Sequence, residues 1–155
     1  GIGKSEAALE LLKRGHLFVA DDVVQVFVTS AGVLVGAAQD VIAGFIELRG
    51  LGIINLRQIF GIAAFMDRSR VDLIIDLHQF SSADEYDRLG AHQRLTEILG
   101  VKVPTLTVPV SPGRSVATLV EVAALNFRLR QSGYDATDDL DERVRKHMQR
   151  HQAHG

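Results

Sequence analysis

The sequence predicts an α/β domain in which helices flank a mixed central sheet. Two observations predict this class. Short apolar runs alternate with turn residues, and longer segments repeat their apolar residues with the 3.6-residue period of a helix. A glycine-rich turn that opens the first helix is a third indication. The chain has 155 residues, of which 46% are hydrophobic and 23% charged. These values are typical of a single globular domain.

Charge and cysteine content exclude several classes of function. The formal net charge of −2 argues against nucleic acid as the main partner. The chain has no cysteine, which excludes disulfides and thiolate chemistry and fits a cytoplasmic location. No apolar run reaches membrane-spanning length. We therefore expect neither nucleic acid nor a membrane as a partner.

The first five residues, Gly1-Ile2-Gly3-Lys4-Ser5, match the second half of the phosphate-loop (P-loop) pattern G-x-x-x-x-G-K-[ST]. In such a loop, backbone N–H groups surround the phosphates of a nucleotide. The lysine reaches the β- and γ-phosphates, and the hydroxyl holds Mg²⁺. The first glycine of the pattern would lie two residues before Gly1, so we expect the chain to be truncated at its N-terminus inside this loop.

The elements follow from local patterns, taken in chain order. Residues 5–14 read as a helix that Gly15 stops, and its N-terminus would place partial positive charge under the phosphates. Residues 17–20 read as a strand. Residues 23–29 and 33–37 read as a hairpin around a turn at 30–32. Further strands are predicted at 46–48, 71–77 and 105–110. The strand at 71–77 is expected in the centre of the sheet, and a turn at 111–113 follows the last strand.

Two helices are predicted to end the chain. The apolar face of the first consists of Val116, Leu119, Val120, Ala123, Ala124 and Phe127. The second, at 138–151, is charged and carries only a thin apolar seam formed by Leu140, Val144 and Met148.

A phosphate loop needs an acid at the end of a nearby strand to hold Mg²⁺. Asp21 and Asp22 offer one such place and Asp76 offers another, and periodicity does not choose between them. Neighbouring side chains on a strand point to opposite faces. We therefore expect only one of Asp21 and Asp22 to face the phosphates.

Two further groups carry charge that suits phosphate chemistry. Glu47 and Arg49 are two residues apart, so on a strand they would face the same way and could bind a metal and a phosphate side by side. An exposed salt-bridged pair before a glycine-rich turn is the alternative. Arg88 could clamp a transferring phosphoryl group, and an ordinary solvated arginine is equally compatible with its surroundings.

Taken together, these segments resemble the C-terminal catalytic domain of the HPr kinase/phosphorylase family. The matching segments occur in family order and cover nearly the whole chain. They are residues 1–6, 20–22, 46–55, 86–90, 108–114 and 121–128. The phosphate loop is generic, whereas the segment at 46–55 is specific to the family.

The resemblance implies a single catalytic P-loop kinase domain over residues 1–155. It implies a bifunctional enzyme that uses ATP and Mg²⁺ to phosphorylate a serine of the phosphocarrier protein HPr. By acting on HPr, such an enzyme regulates carbon metabolism. In the reverse direction, inorganic phosphate attacks the phosphoserine and releases pyrophosphate. The resemblance also implies a homohexamer.

The resemblance implies a role for several residues. Lys4 would bind the nucleotide phosphates within the loop formed by Gly1, Ile2, Gly3, Lys4 and Ser5. Ser5 and Glu47 would hold Mg²⁺, Asp22 would be the general base, and Arg88 would stabilise the transferring group. The segment that serves both reactions would be Ile46, Glu47, Leu48, Arg49, Gly50, Leu51, Gly52, Ile53, Ile54 and Asn55. The segment that serves mainly dephosphorylation would be Pro109, Val110, Ser111, Pro112, Gly113 and Arg114.

The sequence departs from the family pattern at two places, and two other functions remain open. The family usually has a basic residue where Ser111 stands, and a family histidine upstream of the loop lies outside the chain. One alternative function is another P-loop NTPase or small-molecule kinase with Asp76 as its magnesium acid. The other is a non-catalytic nucleotide-sensing module, which would bind ATP without producing a phosphorylated protein.

Overall fold

The computed structural model describes residues 3–79 and 93–153. The chain divides into two compact units between Glu121 and Val122. The helices are α1 (Lys4–Lys13), α2 (Leu56–Phe60), α3 (Val116–Gln131) and α4 (Ala136–Ala153). The strands are β1 (Gln25–Val28), β2 (Leu34–Ala37), β3 (Phe45–Leu48), β4 (Gly52–Asn55), β5 (Arg68–Arg70), β6 (Ile74–Gln79), β7 (Gln93–Ile98) and β8 (Val101–Val110).

Helix α1 begins and ends at glycines. Gly3 at its N-cap has φ +91° and Gly15 just beyond its end has φ +97°, both in the left-handed region that glycine adopts without strain. The N–H groups of Gly15 and His16 donate to the carbonyls of Leu12 and Leu11 at 3.1 and 3.0 Å, which satisfies the last turn. The predicted first helix and its glycine stop are confirmed.

The described residues contain three small sheets. Antiparallel strands form the first, in the order β1-β2-β5, and the predicted hairpin at 23–37 is confirmed as β1 and β2. The second is the antiparallel hairpin of β3 and β4. The third has the order β6-β8-β7, with β6 parallel and β7 antiparallel to β8. This third sheet is mixed, as predicted.

The strand predicted at 71–77 is displaced in both sequence and position. It begins at Ile74, and within the described residues it lies at the edge of the mixed sheet, where β8 is the central strand. Val103, Thr105 and Val110 of β8 are buried, whereas residues 74–77 are only half-buried. An apolar run indicates that a strand is buried, but it does not indicate where in the sheet that strand lies.

The prediction of a strand at 17–20 is wrong. Phe18 makes a single parallel bridge to Phe65, through Phe18 N–H to Ala64 O at 2.9 Å and Met66 N–H to Phe18 O at 3.0 Å. The Phe18 ring is buried and meets Phe65 edge to face at 5.6 Å between centroids. This segment is apolar because Phe18 enters the core, and no ladder extends from it.

The core of the first unit lies between α1 and the β3–β4 hairpin. Its buried members are Leu12, Phe18, Ile46, Leu48 and Leu56. Along β3 burial alternates, so that Ile46 and Leu48 face the core while Phe45 and Glu47 are exposed. The side chain of Glu47 is therefore directed away from the core by the two buried residues that flank it.

The C-terminal helices agree with their predicted patterns. On α3 Phe127 is buried and the other five residues of the predicted face are half-buried, while Ala117 is also buried. Helix α4 extends two residues beyond the prediction at each end, and its seam of Leu140, Val144 and Met148 is exposed. Among the described residues, no helix has both the length and the apolar character needed to cross a membrane.

Leu56 provides a test of this core. It is fully buried at the start of α2, where its N–H donates to Gly44 O at 2.8 Å. We expect Leu56→Ala to lower the free energy of unfolding by about 2–5 kcal/mol, because the side chain is lost and a cavity remains. Leu51→Ala, at a position 74% exposed, is the control and should change it by about 0.5 kcal/mol or less. Equal effects in urea titrations would contradict this description of the core.

Candidate active site at the start of helix α1

The N-terminus of α1 opens into a cavity of about 650 Å³. The residues that line it come from the start of α1, the turn after residue 20, and the end of β3. They are Gly3, Lys4, Ser5, Glu6, Asp21, Asp22, Glu47 and Arg49. Residues separated by more than forty positions in the sequence therefore share one site.

The first turn of α1 suits an anion. Its intrahelical hydrogen bonds start with Ala7 N–H, which donates to Gly3 O at 2.9 Å. The preceding N–H groups of the turn have no i−4 carbonyl within the helix, and Gly3 has no side chain to cap them. Together with the positive end of the helix dipole and the Lys4 ammonium, these groups can bind phosphate oxygens.

Asp21 is the partner of Ser5. The Ser5 hydroxyl donates to the two carboxylate oxygens of Asp21, at 3.1 and 3.3 Å. A hydroxyl and a carboxylate in contact are the hard oxygen ligands that Mg²⁺ prefers. Asp21 was one of the acids that the sequence offers for magnesium, and no local pattern indicates its hydrogen bond to Ser5.

Asp22 lies beside Asp21 in a tight turn. Its φ is +61°, in the left-handed region that aspartate tolerates better than most residues, and Val23 N–H donates across it to Asp21 O at 2.6 Å. Both carboxylates line the cavity. The expectation that only one would face it is wrong, because it assumed a strand and the backbone turns here instead.

Glu47 and Arg49 reach the cavity from one hairpin. Glu47 extends from β3 opposite the buried Ile46 and Leu48, as the alternation requires. Arg49 lies one residue beyond β3, in the turn that leads to β4, so the turn rather than the strand brings it to the same side. The predicted pairing of a carboxylate and a guanidinium at one site is present.

The charges of the site call for a cation when phosphate is bound. Glu6, Asp21, Asp22 and Glu47 are acidic and Lys4 and Arg49 are basic, which leaves an excess of two acids before any phosphate enters. Within residues 3–79 and 93–153, no three acidic, histidine or cysteine side chains group closely enough to hold a metal alone.

Asp76, the other acid considered for magnesium, lies elsewhere. Arg94 Nη2 donates to its carboxylate at 2.5 Å, and His78 Nε2 lies 3.0 Å from the same oxygen. The hydrogen bond to His78, followed by that to Arg94, holds the pKa of Asp76 below its usual value. Asp76 is not among the residues that line the cavity of α1.

The other predicted site residues divide into two groups. Gly1, Ile2 and Arg88 lie outside the described residues. Residues 109–114 follow from the end of β8 into a turn closed by Arg114 N–H to Ser111 O at 3.3 Å, and they do not line the cavity of α1. Parallel pairing places Pro109 and Val110 beside His78 and Gln79 of β6.

Comparison with known proteins decides the family. Residues 1–144 match the family described as the HPr Serine kinase C-terminal domain. The chain belongs to this family. Its resemblance to that family is thereby confirmed.

Named relatives and one solved structure agree. The chain is 49% identical over 150 residues to the HPr kinase/phosphorylase of Caldicellulosiruptor bescii, covering 97% of this chain and 48% of the relative. It is 46% identical over 144 residues to that of Geobacillus thermodenitrificans, covering 93% of this chain and 47% of the relative. The chain thus spans about half the length of these curated relatives. The solved structure of the Hpr(Ser) kinase/phosphatase from Coxiella burnetii matches with a TM-score of 0.76 and 36% identity, over 90% of this chain and 85% of that one. This match confirms the α/β fold class.

Lys4 provides the test of the anion site. We expect Lys4→Ala to weaken tripolyphosphate binding about 10–100-fold, because a charged hydrogen bond worth about 1.5–3 kcal/mol is lost. Lys13→Ala is the matched control, since Lys13 lies at the other end of α1 and pairs with Glu10 at 3.6 Å. Titration calorimetry on the full-length protein measures both. An equal loss in the two variants would indicate a general charge effect and not a site.

Proposed function

We propose that this chain is the catalytic domain of an ATP-dependent protein serine kinase and phosphorylase that acts on HPr or an HPr-like phosphocarrier. The observation that carries the proposal is the meeting of the α1 N-terminus, the Ser5–Asp21 pair, Asp22 and Glu47 at one cavity in a member of this family. Because the reaction consumes ATP, we place it in the cytoplasm. We also propose a homohexamer, on the family resemblance.

Phosphoryl transfer depends on positioning and on neutralising charge, both of which this site can supply. Lys4 and the N–H groups of the first turn would hold the β- and γ-phosphates. Ser5 and Glu47 would hold Mg²⁺, and Asp21 joins them through its contact with Ser5. Mg²⁺ held by these residues would neutralise part of the negative charge of the phosphates.

Asp22 is the proposed general base of the kinase reaction. The serine Oγ of HPr attacks the γ-phosphorus, Asp22 takes the hydroxyl proton, and the bond to the leaving ADP oxygen breaks. Arg88 would stabilise the charge on the transferring group. The left-handed turn supports this division of work, because it lets Asp22 reach the cavity while its neighbour Asp21 holds Ser5.

The reverse reaction uses the same carboxyl group in its other protonation state. An oxygen of inorganic phosphate attacks the phosphorus of phosphoserine, the bond from phosphorus to Oγ breaks, Asp22 returns a proton to Oγ, and pyrophosphate leaves. We propose that residues 46–55 serve both directions. Residues 109–114 would serve mainly the reverse direction, with Arg114 as the cation for the incoming phosphate.

Asparagine variants of the two aspartates separate their roles. Asp22→Asn should lower the kinase and phosphorolysis rates by about 10²–10⁴-fold at saturating Mg²⁺, because an amide neither accepts nor returns the proton. Asp21→Asn should instead raise the Mg²⁺ concentration needed for half-maximal rate and recover activity at high Mg²⁺. Initial rates of both reactions in the full-length protein, across a Mg²⁺ titration, give the comparison. If Asp22→Asn leaves either the kinase rate or the phosphorolysis rate unchanged, Asp22 is not the acid and base shared by the two reactions.

Arg114 tests the separation of the two reactions. Arg114→Ala should raise the phosphate concentration needed for phosphorolysis by about 10-fold or more, while the kinase rate changes little, because only phosphorolysis takes up inorganic phosphate. Arg114→Lys keeps the charge and should recover part of the loss. If Arg114→Ala lowers both rates by the same factor, the segment at 109–114 is structural.

A further inference from the structure

Two histidines lie one turn apart on the surface of α4, a helix that contributes no residue to the reaction proposed above. His147 and His151 are both exposed and belong to the second compact unit. Their rings meet edge to face, with centroids 4.3 Å apart and planes at 84°. Side chains four residues apart on a helix are neighbours, so the spacing in the sequence produces this contact.

We propose that His147 and His151 together bind one divalent ion of the late first-row transition metals, and that Cu²⁺ binds there most tightly. The nitrogen of a neutral imidazole is a good ligand for Ni²⁺, Cu²⁺ and Zn²⁺, and Cu²⁺ has the highest affinity of the three for such ligands. The proposed Mg²⁺ site at α1 is a different kind of site, because Mg²⁺ takes oxygen ligands.

The distance between the two rings suits a single ion. A bond from a metal ion to an imidazole nitrogen is about 2.0–2.1 Å long, which places the ion about 3.1 Å from the centroid of the ring. Two imidazoles at a right angle around one ion, as in the tetragonal coordination of Cu²⁺, would have centroids about 4.4 Å apart. The observed separation is 4.3 Å. Binding would therefore require the rings to rotate and would not require the helix to move.

The charges around the two histidines permit a cation to approach. Arg143 lies one turn before His147, and its Nε donates to the carboxylate of Asp139 at 2.9 Å, so this positive charge is paired. Arg150 is exposed, and its long side chain can keep its guanidinium in water, away from the ion.

The two imidazoles supply only part of the coordination shell. Among the residues that the structure describes, no third histidine, cysteine or carboxylate side chain groups with them. Water would take the remaining positions, so this site would be open, unlike the closed four-ligand sites that hold structural zinc. An ion bound to both rings would also connect two successive turns of α4 and thereby stabilise the helix at this point.

Copper binding by the full-length protein is the direct test, with Mg²⁺ in excess to occupy oxygen sites. We expect His147→Ala and His151→Ala each to weaken the binding of one Cu²⁺ ion by about 10-fold or more, because the second imidazole then no longer binds within the same molecule. Equilibrium dialysis gives the affinity and the number of ions. The electron paramagnetic resonance spectrum of the wild-type complex should show two nitrogen ligands on this ion.

A double variant controls for the number of histidines. His151→Ala combined with Gln149→His restores the number but places the second imidazole two residues from His147, on another side of the helix. It should bind Cu²⁺ as weakly as His151→Ala alone, and all three positions are exposed, so these changes spare the core. Undiminished copper affinity in either single variant, recovery of affinity in the double variant, or a wild-type spectrum with one nitrogen ligand would overturn the proposal.

Discussion

The packing of α1 on the β3–β4 hairpin is the contact on which the candidate site depends. Leu12 of the helix belongs to one buried cluster with Ile46 and Leu48 of β3 and with Leu56 just after β4. That cluster fixes where the helix begins relative to the hairpin. Since Ile46 and Leu48 face the helix, Glu47 between them faces the other way, toward the cavity at the helix start. Apolar burial therefore sets the position of Glu47 relative to the first turn of α1.

The turn at Asp21 and Asp22 allows two neighbouring residues to line the same cavity. In a strand, Asp21 and Asp22 would lie on opposite faces. With Asp22 in the left-handed conformation both residues line the cavity, and Asp21 accepts a hydrogen bond from Ser5. Unusual backbone conformations of this kind are concentrated at functional sites, where the surrounding structure holds them.

Local signals in the sequence were sufficient for α1, for its stop at Gly15 and for the apolar face of α3, because helix periodicity and glycine conformation are properties of short segments. Contacts between distant segments were not predictable in this way. Phe18 reads as part of a strand yet enters the core, and β7 is too polar to be recognised although it pairs with β8 along six residues. Asp21 accepts a hydrogen bond from Ser5, sixteen residues away, and no local pattern predicts that contact.

Phosphorus NMR of the full-length protein mixed with HPr, ATP and Mg²⁺ follows both proposed reactions in one experiment. A phosphoserine signal on HPr should appear as ATP is converted to ADP. After removal of the nucleotide, added inorganic phosphate should erase that signal while pyrophosphate appears. Conversion of ATP to ADP without phosphoserine, or loss of phosphoserine without pyrophosphate, would contradict the proposed function.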